Sequence, residues 1–153
     1  MIQLVMLANL VAYALVAGQP LAYLVFLSSA QRALSAPAYI ELRQHINPVM
    51  TRRVPVIYVA ALVTGLMLLV LALRSRDGSV LATTTVALLC LVADVVLMLR
   101  ENVPINGVMD RWSTSTYPDD WEAYRTKWFT VFGYRQVVLL VGFLSLLVGA
   151  VFG

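Results

Sequence analysis

The chain reads as an all-α integral membrane protein, a four-transmembrane-helix bundle with a short interfacial helix between spans one and two. Three observations predict it. The 153 residues are 61% hydrophobic and only 12% charged, against roughly 45–50% and about 25% in soluble domains. The apolar residues fall into four runs, each near or above the roughly 20 residues that cross a bilayer as a helix. The charged residues sit at the ends of those runs, where water is available to them. One domain suffices for this length.

The spans are placed at about residues 2–30, 54–73, 80–99 and 129–151. The first run has no Lys or Arg before it and stays apolar past any small-residue cleavage site, so it reads as a retained helix rather than a leader. Gly18, Gln19 and Pro20 fall near its middle and predict a kink. Asn9 and Tyr13 are four apart, as are Gln19 and Tyr23. Each pair shares a helix face, and polar groups at membrane depth turn toward other helices. They serve either interhelical hydrogen bonds or a pocket wall.

Between Ser35 and Arg53 the chain is less apolar. Pro37 suits a first helical position, and Tyr39, Leu42 and Ile46 recur at helical spacing. This predicts the short helix, broken at Asn47-Pro48, with Arg52 and Arg53 at the interface. The second span ends at Arg74 and Arg76, and Asp77-Gly78-Ser79 is a turn signal. The third carries Thr83, Thr84, Thr85 and, deeper, Asp94. Before the fourth, Pro118, Asp119 and Asp120 read as a first turn capped by Thr116 or Tyr117. Gly142 and Gly149 within it allow close helix contact.

Nine basic residues flank the first and third connections, against Arg74 and Arg76 at the second. The positive-inside rule then puts both termini outside; the expected location is an inner or plasma membrane of bacterial type. The net charge of +3 is spread over these ends, so no nucleic-acid partner is expected. Cys90 and His45 are each the only residue of their kind. No intrachain disulfide and no multi-ligand metal centre can be built from them.

Candidate chemistry gathers in two places. Asp94 lies six residues before Arg100, about 9 Å into the membrane at helical rise. An ionised carboxylate there needs a partner or must take up a proton. Arg135, on the fourth span, is the candidate partner. The pair is either a structural ion pair, or a proton acceptor and an anchor for an anion. The second place is Arg100 to Arg111, where Asn102 and Asn106 flank Pro104. Proline lacks an amide proton and pushes the residue before it, Val103, away from the α region. This predicts a helix end with freed backbone groups, and two amide side chains that cap it or bind a ligand. Trp121, Tyr124, Arg125, Trp128, Phe132 and Arg135 form a stripe on the last helix. It is a packing belt, or the wall of a site for a flat aromatic ligand with ionised phenols or carboxylates. His45 is a second candidate base; as one axial haem ligand it has no other support in the sequence. Arg53 is a second candidate anion anchor.

The Asn102-x-Pro104-x-Asn106 pattern closing a third membrane helix, followed by Trp112, Trp121, Trp128 and Arg135, resembles the anthrone oxygenase-like family of small four-helix membrane proteins, most of whose members are uncharacterised. Tyr39-x-x-Leu42-Arg43 and Ile46-Asn47-Pro48 look like the same family's first loop. The resemblance implies a four-helix bundle, and an oxidoreductase that oxidises an anthrone-like, flat phenolic or apolar substrate with molecular oxygen and no cofactor. The expected roles are Asp94 or His45 as base, Arg135 and Arg53 as anion anchors, and Asn102, Asn106 and Trp128 as orienting groups. The expected partners are that small ligand and membrane lipid, with a homo-oligomer open to the chain. Two other classes compete: a non-enzymatic accessory subunit, which would show a small-residue face around Gly142 and Gly149, and a small transporter, which would show a continuous polar route.

Overall fold

The protein is an integral, multi-pass membrane protein. In the computed structural model, which describes residues 1–153, four long apolar helical spans pack side by side: Ile2–Arg32, Ala36–Ser75, Gly78–Met109 and Trp121–Phe152. The first joins helix α1 (Ile2–Ala22), a π-helical turn (Tyr23–Leu27) and α2 (Ser28–Arg32). The second is one helix, α3 (Ala36–Ser75). The third joins α4 (Gly78–Leu97), a second π-helical turn (Met98–Asn102) and α5 (Val103–Met109). The fourth is α6 (Trp121–Phe152). Apolar side chains such as Leu4, Leu7, Val63, Leu89 and Val148 point outward, as lipid contact requires. Asn9, Thr84, Asp94, Asn102, Arg135 and Gln136 turn inward.

The expected short helix is not separate. Pro48 lies inside α3, which runs unbroken for 40 residues. An interior proline opposes a helix by about 3 kcal/mol, and tertiary hydrogen bonds from this stretch oppose the break. Arg43 Nη2 donates to Asn106 Oδ1 at 2.6 Å, and Gln44 Nε2 to the Trp112 carbonyl at 2.7 Å. Asn47 Nδ2 lies 2.9 and 2.8 Å from the two carboxylate oxygens of Asp110. These bonds hold the polar start of α3 against the end of the third span.

Two further prolines, Pro20 and Pro104, adjoin π-helical turns. Pro20 lies within α1, just ahead of Tyr23–Leu27. Pro104 follows Met98–Asn102. Val103 keeps helical angles, φ −62° and ψ −47°, and its N–H reaches the Met98 carbonyl five residues back. The wider turn makes room for the proline ring, so Asn102-x-Pro104-x-Asn106 continues the third span where the sequence suggested its end. Neither asparagine caps it: Asn102 makes no side-chain capping bond.

The helix ends follow local chemistry. Arg76 closes α3 at φ 58°, a left-handed conformation that favours glycine. Asp77 Oδ1 accepts from the Val80 N–H at 3.0 Å and caps α4. The last helix begins at Trp121, with Asp120 at its N-cap, later than the Pro118–Asp120 first turn expected. The main core runs along the bundle through Tyr13, Val16, Ala61, Leu68, Leu91 and Leu139. A Cβ at Gly142 would overlap the Tyr13 hydroxyl, and one at Gly149 the Thr83 hydroxyl. Both glycines are buried. They bring α6 against its neighbours inside the chain and leave no small-residue face outward.

Candidate functional site

At the end of the bundle that carries the polar start of α3, the four spans enclose a polar cluster and an aromatic one. Asp94 on α4 is 0% exposed. Arg135 on α6 approaches it through two edges: Nε to Oδ1 at 2.8 Å and Nη2 to Oδ2 at 3.2 Å. This forked geometry is the strong form of a carboxylate–guanidinium pair. Tyr58 on α3 donates its hydroxyl to Asp94 Oδ2 at 2.5 Å and accepts from Arg135 Nη2 at 3.2 Å. Arg135 Nη1 donates to Asn102 Oδ1 at 3.1 Å, and Asn102 Nδ2 reaches the Trp128 carbonyl at 3.4 Å. Every helical span except the first contributes to this network. Such burial is tolerable because the charges compensate each other and their lone pairs and protons are used.

Beside it stands the aromatic cluster. Trp128 and Phe132 are stacked, with ring centroids 4.5 Å apart and planes at 19°. Tyr23, turned inward by the first π-helical turn, lies 5.3 Å from Phe132 and 5.5 Å from Trp128. Its hydroxyl donates to Gln31 Oε1. The guanidinium carbon of Arg43 sits 4.3 Å over the Trp128 ring.

Between these groups is a cavity of about 440 Å³. Its wall includes Gln19, Tyr23, Arg43, Tyr58, Asn102, Asn106, Trp128, Phe132 and Arg135, with aliphatic side chains from α3 and the third span. That volume lies within the roughly 300–1,000 Å³ range of small-molecule pockets, and an apolar wall with few converging polar groups is their usual make-up. A second, open depression of about 640 Å³ on the surface is lined by Gln44, Asn47, Pro48, Thr51, Arg52 and Asp110. It shares Asn47 and Thr51 with the cavity, but its lining has no apolar wall to hold a ring.

Four of the expected site residues, Asn102, Asn106, Trp128 and Arg135, meet at the cavity wall. Asp94 is beside them but not on the wall; Tyr58 and Arg135, which bond it, are. His45 and Arg53 are exposed and line no part of the cavity. His45 Nδ1 lies 2.8 Å from the Glu41 carbonyl on its own helix. The unbroken α3 explains their displacement, because a continuous helix fixes which residues share the inner face. The same register brings in Arg43, which the sequence offered as part of the first-loop motif with no site role, and Tyr58, which it did not mark. They are fifteen residues apart, close to four full turns. That repeat is visible in the sequence only if Asn47-Pro48 does not break the helix. No three His, Cys, Asp or Glu side chains gather as a metal-ligand set.

Comparison with family models, with curated proteins and with solved structures gave no match.

Proposed function

We propose that this protein is a membrane oxidoreductase of the anthrone oxygenase-like type, which binds a flat phenolic substrate in the cavity and oxidises it with molecular oxygen. The observation that carries the reading is the convergence of Tyr58, hydrogen-bonded to Asp94, two guanidinium groups and a Trp128–Phe132 ring wall on one largely apolar cavity.

The chemistry follows from the positions. The benzylic C–H proton of the bound substrate, or the O–H proton of its enol tautomer, passes to the Tyr58 oxygen as the Tyr58 proton moves to Asp94 Oδ2. Tyr58 is then the catalytic residue, and Asp94, which touches no substrate, is the acceptor behind it. Arg135 keeps its hold on Asp94 throughout. The guanidinium groups stabilise the substrate anion in a medium where such charge is strongly felt. The electron-rich anion reduces oxygen and combines with it at carbon, forming a C–O bond. The proton held at Asp94 returns to give a hydroperoxide. Loss of water, which takes the second hydrogen from that carbon, breaks the O–O bond and leaves a ketone. One CH₂ and one O₂ thus become one C=O and one H₂O.

The basic residues at this end of the bundle support a cytoplasmic position for the cavity, with both termini outside. A homo-oligomer is compatible with the apolar outer surface. The accessory-subunit alternative is weakened, because Gly142 and Gly149 pack within the chain.

The test is oxygen uptake by the purified protein in lipid nanodiscs with anthrone as probe, measured against protein-free nanodiscs. The expected result is equimolar loss of oxygen and anthrone, with Tyr58→Phe slowing turnover by about 10²-fold or more, as for loss of a general base. Uptake no faster than in protein-free nanodiscs would end the proposal.

A further inference from the structure

The two arginines of the cavity wall differ in their counter-charge. Arg135 is matched by Asp94 at 2.8 Å. Arg43 is 4% exposed and forms no ion pair. Its hydrogen-bond partners are neutral amides, Asn106 Oδ1 at 2.6 Å and Asn47 Oδ1 at 3.5 Å, and its guanidinium rests on the neutral Trp128 ring. The acid next along this path, Asp110, is exposed, and Asn47 Nδ2 occupies both its carboxylate oxygens. Two donors on the wall residues are also buried without a partner: Arg43 Nε and the indole Nε1 of Trp128. A buried cation without a counter-ion is costly, and a buried donor without an acceptor adds to it. An anion placed here relieves both.

The cavity also reaches the outer surface. Met50 and Val59 of α3, and Leu99 and Val103 of the third span, line it and are themselves exposed. All four are apolar, so the gap between these two spans faces lipid.

We infer that Arg43 and Trp128 form an anion subsite for the carboxylate or phenolate head of a lipid-soluble aromatic acid, which enters sideways from the bilayer between α3 and the third span. This rests on the proposed function only in that the cavity holds a ligand. It adds the ligand's charge, the group that reads it and its route. The ring body lies along Trp128 and Phe132, and the acidic head points at Arg43, away from the Asp94–Arg135 pair.

The experiment measures the affinity and the association rate of anthraquinone-2-carboxylate, and of its neutral counterpart 2-methylanthraquinone, for the full chain in phosphatidylcholine nanodiscs. The wild type is expected to favour the carboxylate by about tenfold or more, the scale of a charge-assisted hydrogen bond. Arg43→Gln removes that preference, and Arg43→Lys restores part of it. Asn106→Asp guards against simple misfolding of the glutamine variant. It keeps the 2.6 Å bond to Arg43 but supplies a resident carboxylate. It is expected to hold its fold, lose the carboxylate probe by about tenfold and keep the neutral one. Leu99→Trp narrows the gap and slows association of both probes, with the ratio of their affinities unchanged. Equal binding of the two probes by wild type, or an unchanged preference in both Arg43→Gln and Asn106→Asp, overturns the inference while oxygen uptake, if present, leaves the proposed function standing. Displacement of the carboxylate probe by phosphatidylglycerol overturns it in favour of a lipid headgroup. Failure of both probes to bind wild type overturns the inference, and oxygen uptake with anthrone then decides the proposed function by itself.

Discussion

Replacing Asp94 by Asn removes one charge and little else in shape. It leaves Arg135, 6% exposed, without its counter-ion inside the bundle. Two charge-assisted bonds, at 2.8 and 3.2 Å, become ordinary or are lost, and the Tyr58 hydroxyl exchanges a carboxylate acceptor for an amide. Breaking a buried pair from one side typically costs about 3–5 kcal/mol, because the remaining charge is uncompensated. At about 2–4 °C per kcal/mol for a chain of this size, that corresponds to a fall of about 6–20 °C in the unfolding temperature. The double variant Asp94→Leu with Arg135→Met removes both charges. It should lose less than Asp94→Asn alone, since an apolar replacement of a whole pair is often neutral or stabilising. It still leaves Tyr58 and Asn102 each short of one neutral hydrogen bond, at about 1 kcal/mol each, so full recovery is not expected. Thermal unfolding of the three proteins in one mild detergent, followed by circular dichroism, gives the comparison. If Asp94→Asn unfolds within about 1 °C of wild type, or the double variant unfolds at a lower temperature than Asp94→Asn, the charges are not compensating each other as described.

Other changes test other links in the chain. Gly142→Leu drives a side chain into the Tyr13 hydroxyl, which donates to the Ala87 carbonyl at 3.0 Å; a loss of about 2–4 kcal/mol is expected from overpacking and the broken bond, read by thermal unfolding. Arg76→Gly relieves the left-handed residue that ends α3 at φ 58° and should raise stability by about 1 kcal/mol, seen as a higher unfolding temperature. Asp77→Ala removes the cap on Val80 and should lower it by about 1 kcal/mol. His45→Ala and Arg53→Ala, both outside the cavity, should leave affinity for anthraquinone-2-carboxylate within about twofold of wild type; a loss of the size expected for Arg43→Gln would place one of them at the ligand after all.

The fold class was legible without coordinates because it depends on a bulk property. Long apolar runs have no folded form in a bilayer except helices that satisfy their own backbone, and four such runs in a short chain pack against one another. Asp94 and Arg135 were legible for a related reason. A charge that deep must find an opposite charge, and the chain offers few within reach. Asn102 and Asn106 were marked by their spacing about Pro104, although the reading of a helix end there was local and mistaken.

What the sequence by itself determined was therefore the solvent each segment lives in and the charges that must meet. What only the tertiary structure decided was register. Pro48 and Pro104 each argue locally for a break, and bonds from other helices together with a π-helical turn carry the helix through both. That continuity turns Arg43 and Tyr58 inward and leaves His45 and Arg53 outside. The preference of a proline is a matter of a few residues. The bonds that outweigh it join positions more than sixty residues apart, and no periodicity within a single helix records them.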